Sequence, residues 1–168
     1  RPDRVAKWES ALGPREMPRI GIAWSGSRTY VNDRDRSIAL RRLLPLQAIT
    51  TSIISLHHEV RAEDQGVLDA HQTILHFGAE LTDFADVAAL MTRLDLVISV
   101  DTSVAHLAGA LGRPVWILLS FAPHWLWMLD RADSPWYPTA RLFRQPCIGD
   151  WGSVIQVLVE RPALGLGS

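Results

Sequence analysis

One stretch of sequence decides the fold class: Leu96-Val-Ile-Ser-Val100, then Asp101-Thr-Ser-Val-Ala-His106, then Pro114-Val-Trp-Ile-Leu-Leu119. The first run has the length and the apolar character of a central parallel strand buried on both faces. Asp101 or Thr102 then caps a helix that continues through Leu111, and Gly112 stands where a helix-ending glycine belongs. The third run is the next strand, so the stretch predicts a strand–helix–strand unit.

The same alternation extends outward through the rest of the chain. We predict further strands over residues 20–24, 52–56, 73–77 and near 141–143. We predict further helices over residues 39–49 (interrupted near Pro45), 61–70, 85–94 (with Thr82 as N-cap) and 150–159. Strands that alternate with helices imply parallel crossovers, and therefore an α/β fold whose parallel sheet has helices on both faces.

The chain has 168 residues, which is the length of one domain. Residues 1–18 are polar and contain prolines, as in a lead or linker cut from a longer protein. Residues 19–160 form the predicted domain, and residues 161–168 are predicted to be a flexible tail. No internal repeat is visible in the sequence.

The composition excludes several classes of protein. With 48% hydrophobic and 21% charged residues, the chain can bury a sizeable core. Its formal net charge of −1 argues against a nucleic-acid partner. No apolar run is long enough for a membrane span, and the N-terminus lacks a signal peptide's apolar core. A lone cysteine, Cys147, suits a reducing compartment, so we expect a cytoplasmic protein.

Any chemistry on anions must rely on arginine, since Lys7 is the only lysine among 17 basic residues. In parallel α/β sheets, ligands bind at the carboxyl ends of the strands, where helix N-termini present free N–H groups. The strongest such junction is Asp101-Thr-Ser-Val-Ala-His106. The first backbone amides and the Thr102 hydroxyl would cradle a phosphate, with His106 one turn later. The alternative is an ordinary N-cap followed by a solvated histidine.

A second junction follows the strand at 20–24. Gly26, beside Ser25, permits a ligand to approach closely, and Arg34 or Arg36 could form two hydrogen bonds to a diphosphate. The alternative is a solvated loop of alternating charges. Asp33 and Asp35 resemble a metal-binding pair, but the neighbouring arginines would neutralise them, so we predict no metal site.

Two other junctions carry weaker signals. His57 and His58 point to opposite faces of a strand, which disfavours shared metal ligation and favours ordinary surface histidines. The aromatic segments near Trp125 and Trp136 could stack on a sugar or base, cover a sheet edge or bind a partner. The sequence also lacks the glycine-rich, nucleophile-elbow and Cys/His metal motifs of other α/β enzymes.

Several motifs together resemble the C-terminal half of a GT-B glycosyltransferase. They are Gly21-Ile-Ala-Trp-Ser-Gly26, Asn32-Asp-Arg-Asp-Arg-Ser37, the stretch from Asp95 to Trp116, Ser134-Pro-Trp-Tyr-Pro138 and Gly149-Asp-Trp151. The chain is most similar to the bacterial heptosyltransferase-like domain that follows tetratricopeptide repeats, a relative of the O-linked N-acetylglucosamine transferases. The resemblance covers roughly residues 19–159.

The resemblance implies a Rossmann-like, nucleotide-sugar-binding half of an inverting, metal-independent glycosyltransferase with no further cofactor. It implies that the donor is bound by Ser25, Gly26, Arg36, Asp101, Thr102, Ser103 and His106. The catalytic residues are not assigned. The other GT-B half, which supplies the acceptor site and usually the base, would have to come from the parent chain, where tetratricopeptide repeats are a further expected partner. This chain alone is therefore expected to be inactive in transfer.

Two departures from the family pattern keep other functions open. His57 stands where relatives often have Gln, and His124-Trp-Leu-Trp127 lacks two charges of the typical Asp-Trp-Arg-Trp stretch. One alternative is an inactive binding or interaction module at the end of a repeat protein. Another is a different α/β nucleotide-sugar enzyme, such as an epimerase.

Overall fold

The computed structural model describes residues 2–161 of the chain. The strands are β1 (Arg19–Ala23), β2 (Ser52–Ser55), β3 (Ile74–His76), β4 (Leu96–Val100), β5 (Val115–Leu119) and β6 (Ala140–Arg144). The α-helices are α1 (Pro2–Leu12), α2 (Asp33–Arg36), α3 (Ala62–Ala70), α4 (Phe84–Met91), α5 (Ser103–Ala110) and α6 (Trp151–Glu160). Three 3-10 segments span Leu40–Ala48, Gly78–Glu80 and Trp125–Trp127.

All six strands form one parallel sheet in the order β3-β2-β1-β4-β5-β6. In this register Ile22 pairs with Ser55 on one side and with Ile98 on the other. The predicted Rossmann-like α/β fold is therefore confirmed. The chain builds outward in one direction from β1 to β3 and then in the other from β4 to β6. The direction reverses between β1 and β4, where such sheets form a crevice at their carboxyl edge.

Alternate residues of the central strands supply two separate apolar cores. Leu96, Ile98 and Val100 pack on one face of the sheet, with α6 and the 3-10 segment Leu40–Ala48. Val97 packs on the other face, with α4 and α5. A strand covered on both faces needs an apolar residue at nearly every position, and this explains the apolar run of β4, in which Ser99 is the one polar residue.

Helix α1 lies in the segment that the sequence suggested was a polar lead. Its Trp8 is fully buried and meets Phe77 edge to face, with 5.5 Å between ring centroids. Arg4 forms ion pairs with Asp83 and Asp86 at the start of α4. One buried aromatic side chain and these ion pairs thus hold α1 on the sheet's second face. The division of the chain into lead, domain and tail stays a prediction, and residues 162–168 lie outside the described residues.

Two predicted details are wrong for local reasons. The N-cap of α4 is Asp83, whose carboxylate accepts a hydrogen bond from the Asp86 N–H at 2.9 Å, and Thr82 instead donates to Asp86. The predicted helix over 39–49 is a 3-10 segment, because Pro45 removes a backbone donor and crowds the preceding turn. Gly112 ends α5 as predicted, with φ of +64°. Within residues 2–161, no helix combines the length and apolarity that a membrane crossing requires.

Candidate functional site

A cleft of about 910 Å³ opens at the carboxyl edge of the sheet, where the strand order reverses. One wall is the turn after β1, and the opposite wall is the start of α5. The segment after β2 and the start of α4 close the remaining side. The volume lies within the range of small-molecule sites.

The guanidinium of Arg36 joins the two walls. Its Nη1 donates to the backbone carbonyl of Asp101 at 2.8 Å, although the two residues are 65 positions apart. The guanidinium lies directly over Gly26, where any Cβ would overlap it, and it stacks on Tyr30 at 4.1 Å from the ring centroid. The lack of a side chain at Gly26 thus leaves the space that the Arg36 guanidinium occupies.

A buried carboxylate organises the β1 wall. Asp33 accepts hydrogen bonds from Arg61 and from the Ser37 hydroxyl, and it forms an ion pair with Arg36 at 3.5 Å. Burial acts to raise the pKa of Asp33, but the hydrogen bonds from Arg61 and Ser37 outweigh it and lower that pKa overall. The charged segment that contains Asp33 and Arg36 is thus held in place by these contacts and is not a solvated loop. Two guanidinium groups share one carboxylate, so these three side chains together carry one net positive charge.

The opposite wall presents the first turn of α5. Thr102 is buried and occupies the N-cap, yet its side chain makes no capping hydrogen bond within the described part of the chain. Ser103 is exposed. The first N–H groups of a helix have no partner inside the helix, and the positive end of its dipole lies there. This wall is suited to bind an anionic oxygen.

Among the cleft residues that were not assigned to the site from the sequence, two make hydrogen bonds to the segment that follows β1. Arg61 follows β2 and donates to the Gly26 carbonyl at 3.0 Å as well as to Asp33. His57 is half-buried, and its Nε2 accepts a hydrogen bond from the Trp24 N–H at 3.1 Å. Both follow a strand that neighbours β1, and that position was the signal that could have identified them.

Burial keeps the His57 ring neutral. It lowers the pKa of His57 to about 4, with smaller contributions from the nearby His76 and Arg61. Because Nε2 accepts the Trp24 hydrogen bond, the ring proton of neutral His57 resides on Nδ1. His58 also lines the cleft, and its Nδ1 lies 2.8 Å from the Gly78 carbonyl oxygen. In the described part of the chain, no three His, Cys, Asp or Glu side chains are placed to hold a metal ion.

The structure brings five of the seven predicted donor-binding residues to the cleft. They are Ser25, Gly26, Arg36, Thr102 and Ser103. Asp101 contributes its carbonyl to Arg36 but does not line the cleft. His106 does not line the cleft either, and it stacks on Trp127 with 5.2 Å between ring centroids. The role of all seven residues in donor binding stays a prediction.

Residues 65–124 match Glycosyltransferase family 9 (heptosyltransferase). The matched segment contains the start of α5 but not the β1 wall. Over this segment the chain is therefore similar to glycosyltransferases of that family.

Over 162 aligned residues, the chain is 28% identical to Protein FlbA of Caulobacter vibrioides, and the alignment covers 89% of this chain. The same alignment covers 26% of FlbA, so the chain spans about a quarter of the length of the curated relative it matches. No solved structure gives a significant match.

Proposed function

We propose that the chain is the nucleotide-sugar-binding half of an inverting, metal-independent glycosyltransferase. The observation that carries the proposal is the cleft at the strand-order reversal, where Arg36 bridges the Gly26 turn and the start of α5. Parallel α/β sheets bind nucleotides at this edge. The similarity of residues 65–124 to heptosyltransferases supports the same class of ligand.

The diphosphate would lie between Arg36 and the first turn of α5. Arg36 supplies a guanidinium, and Thr102 and Ser103 supply hydroxyl and backbone N–H donors. A diphosphate leaving group must be stabilised as the bond to the sugar breaks, and preorganised donors achieve this without reorganising during the reaction. Guanidinium charge can take the place of a divalent cation here, which supports the proposed metal independence. The inverting outcome rests on the family resemblance.

The nucleoside would occupy the part of the cleft beyond the carboxyl end of β2. Leu56, Leu81 and Val87 form an apolar wall there, and His57 adds a neutral ring. Apolar surface with a few fixed polar groups is typical of small-molecule and cofactor sites.

The acceptor would be bound outside this chain. The matched relative is about four times as long as the aligned region, which leaves room in a parent protein for a second half and for repeats. We propose that the parent supplies the acceptor site and the catalytic base, and that the enzyme works in the cytoplasm with no further cofactor.

Nucleoside diphosphate binding tests the proposal. The chain is titrated separately with ADP, UDP, GDP and dTDP and with the corresponding monophosphates, in buffers with and without EDTA. We expect one diphosphate to raise the melting temperature more than its monophosphate, equally in both buffers. Backbone NMR signals should move at Ser25–Gly26 and at Thr102–Ser103. Shifts confined to the segment Trp125–Trp127, or no binding of any diphosphate at millimolar concentration, would overturn the proposal.

A further inference from the structure

The Trp-rich segment after β5 reaches back onto α5 through Tyr137. The Tyr137 ring covers Gly109, where any Cβ would overlap it, and the hydroxyl lies 2.9 Å from Nδ1 of His106. Gly109 and His106 are three positions apart and therefore share one face of the helix. A glycine at this position lets the tyrosine ring lie close enough for the hydroxyl to reach the histidine.

The His106 ring is oriented from several sides. It stacks on the buried Trp127 at an interplanar angle of 24° and meets Tyr137 at 66°. Its second nitrogen, Nε2, lies 3.7 Å from Oδ1 of Asp101. The ring is therefore flanked by a hydroxyl at Nδ1 and a carboxylate at Nε2.

These two neighbours select one position for the ring proton. At 3.7 Å the Asp101 carboxylate is too far from Nε2 for a hydrogen bond, but its negative charge favours a proton on the nitrogen that faces it. Nδ1 is then an acceptor, and the hydroxyl, which can donate or accept, donates to it. We propose that Tyr137 is a positioning residue that holds His106 as the Nε2–H tautomer, a fixed hydrogen-bond donor beside the start of α5.

The inference rests on the proposed function for the ligand that His106 meets. His106 does not line the cleft that would hold the nucleoside diphosphate. The nucleoside and the diphosphate fill the cleft in the proposed function, so the part of a nucleotide sugar that is left to meet the Nε2–H of His106 is the sugar. The Nε2–H group can donate a hydrogen bond to an oxygen atom of that sugar.

The first test needs no ligand. The chain is labelled with ¹⁵N-histidine, and the His106 ring signals are assigned by their loss in His106→Gln. Spectra are recorded at about pH 8, where ordinary histidines are neutral. We expect the wild type to show a protonated Nε2 and a hydrogen-bonded, unprotonated Nδ1. In Tyr137→Phe the Nδ1 signal should move toward that of an unprotonated nitrogen without a donor.

The matched control is Trp136→Phe, which alters the exposed neighbouring ring and should leave the His106 signals unchanged. Phenylalanine keeps the packing over Gly109, and a melting curve checks that each variant is folded. A wild-type signal with the proton on Nδ1 would overturn the inference even if Tyr137→Phe failed to fold. An unchanged Nδ1 signal in folded Tyr137→Phe would also overturn it.

The second test compares UDP-, ADP- and GDP-linked hexoses with the free diphosphates. We expect Tyr137→Phe to weaken binding of the preferred nucleotide sugar about 2- to 10-fold, which is the value of one neutral hydrogen bond. The affinity for the free diphosphate should stay within about twofold of that of the wild type. Equal losses for both ligands, or no loss for either, would contradict the positioning role. If the wild type binds no nucleotide at all, the proposed function fails, while the NMR signals still decide the tautomer.

Discussion

The backbone N–H of Trp24 donates a hydrogen bond to Nε2 of His57, with 3.1 Å between the two nitrogens. The two rings also meet edge to face, with 4.2 Å between centroids. Trp24 follows β1 and His57 lies two residues after β2, so this contact joins neighbouring strands where they enter the cleft. The hydrogen bond requires an unprotonated Nε2. Protonation of His57 at low pH would therefore break this contact between the segments that follow β1 and β2.

We expect His57 to make the fold less stable at acidic pH. Its pKa is about 4 in the folded chain and near 6.5 when unfolded, so between these values the unfolded chain binds more protons. The free energy of unfolding should fall as pH drops from about 6.5 to 4, by up to about 3 kcal/mol from this group. Urea unfolding over that range measures the loss.

His57→Gln is the informative variant for this prediction, because an amide oxygen can still accept the Trp24 hydrogen bond without taking a proton. Its stability should depend less on pH than that of the wild type, whereas the exposed His124→Gln should follow the wild type. The same pH dependence in wild type and His57→Gln would assign the acid sensitivity to other groups.

Asp33→Asn should destabilise the β1 wall. The substitution removes the buried charge on which Arg36 and Arg61 converge, leaving guanidinium groups less well paired. We expect a loss of about 1–3 kcal/mol in the free energy of unfolding, measured with urea. Asp35→Asn, an exposed site in the same short helix, should change stability by less than about 0.5 kcal/mol. Similar effects at both positions would argue against the anchoring role of Asp33.

Arg36→Ala should weaken diphosphate binding without unfolding the chain. A hydrogen bond involving a charged group is worth about 1.5–3 kcal/mol, which corresponds to roughly 10- to 100-fold in affinity. Calorimetric titration with the best diphosphate measures the change. Arg34→Ala removes an exposed arginine that does not line this cleft, and it should bind like the wild type. Unchanged affinity in Arg36→Ala would place the diphosphate elsewhere.

Gly26→Ala should act through Arg36. The new methyl group would occupy the position of the guanidinium and displace the flexible end of that side chain, so we expect about tenfold weaker diphosphate binding. The double variant with Arg36→Ala should bind like Arg36→Ala alone, because both changes remove the same contact. Additive losses in calorimetric titrations would show that Gly26 contacts the ligand independently.

Sugar transfer should require more than this chain. Catalysis needs an acceptor hydroxyl held close to the donor carbon and a base to remove its proton, and the proposal assigns both tasks to the rest of the parent protein. We expect the chain to bind donor and to hydrolyse it only at a trace rate. Turnover equal to that of the intact parent, at matched donor and acceptor concentrations, would contradict this division of labour.

Some elements could be predicted closely because their signals are local. The apolar run of β4 and the glycine that ends α5 depend on residues within a few positions of each other, and both were placed correctly. Helix α1 was missed because a single fully buried residue, Trp8, holds it to the sheet through partners more than 60 positions away. Its apolar residues Val5, Trp8 and Leu12 do follow helical spacing, but they are few among charged neighbours, so the sequence alone indicates a polar lead.

By itself, the sequence determined the alternation of strands and helices, and with it the edge of the sheet where a ligand would bind. The carboxyl ends of parallel strands always share one edge, so motifs that follow β1 and β4 had to lie near each other. Only the tertiary structure decided which side chains meet there. Arg36 reaches Asp101, Arg61 joins it on Asp33, and His106 turns toward Tyr137, because side-chain direction depends on packing between segments far apart in the chain.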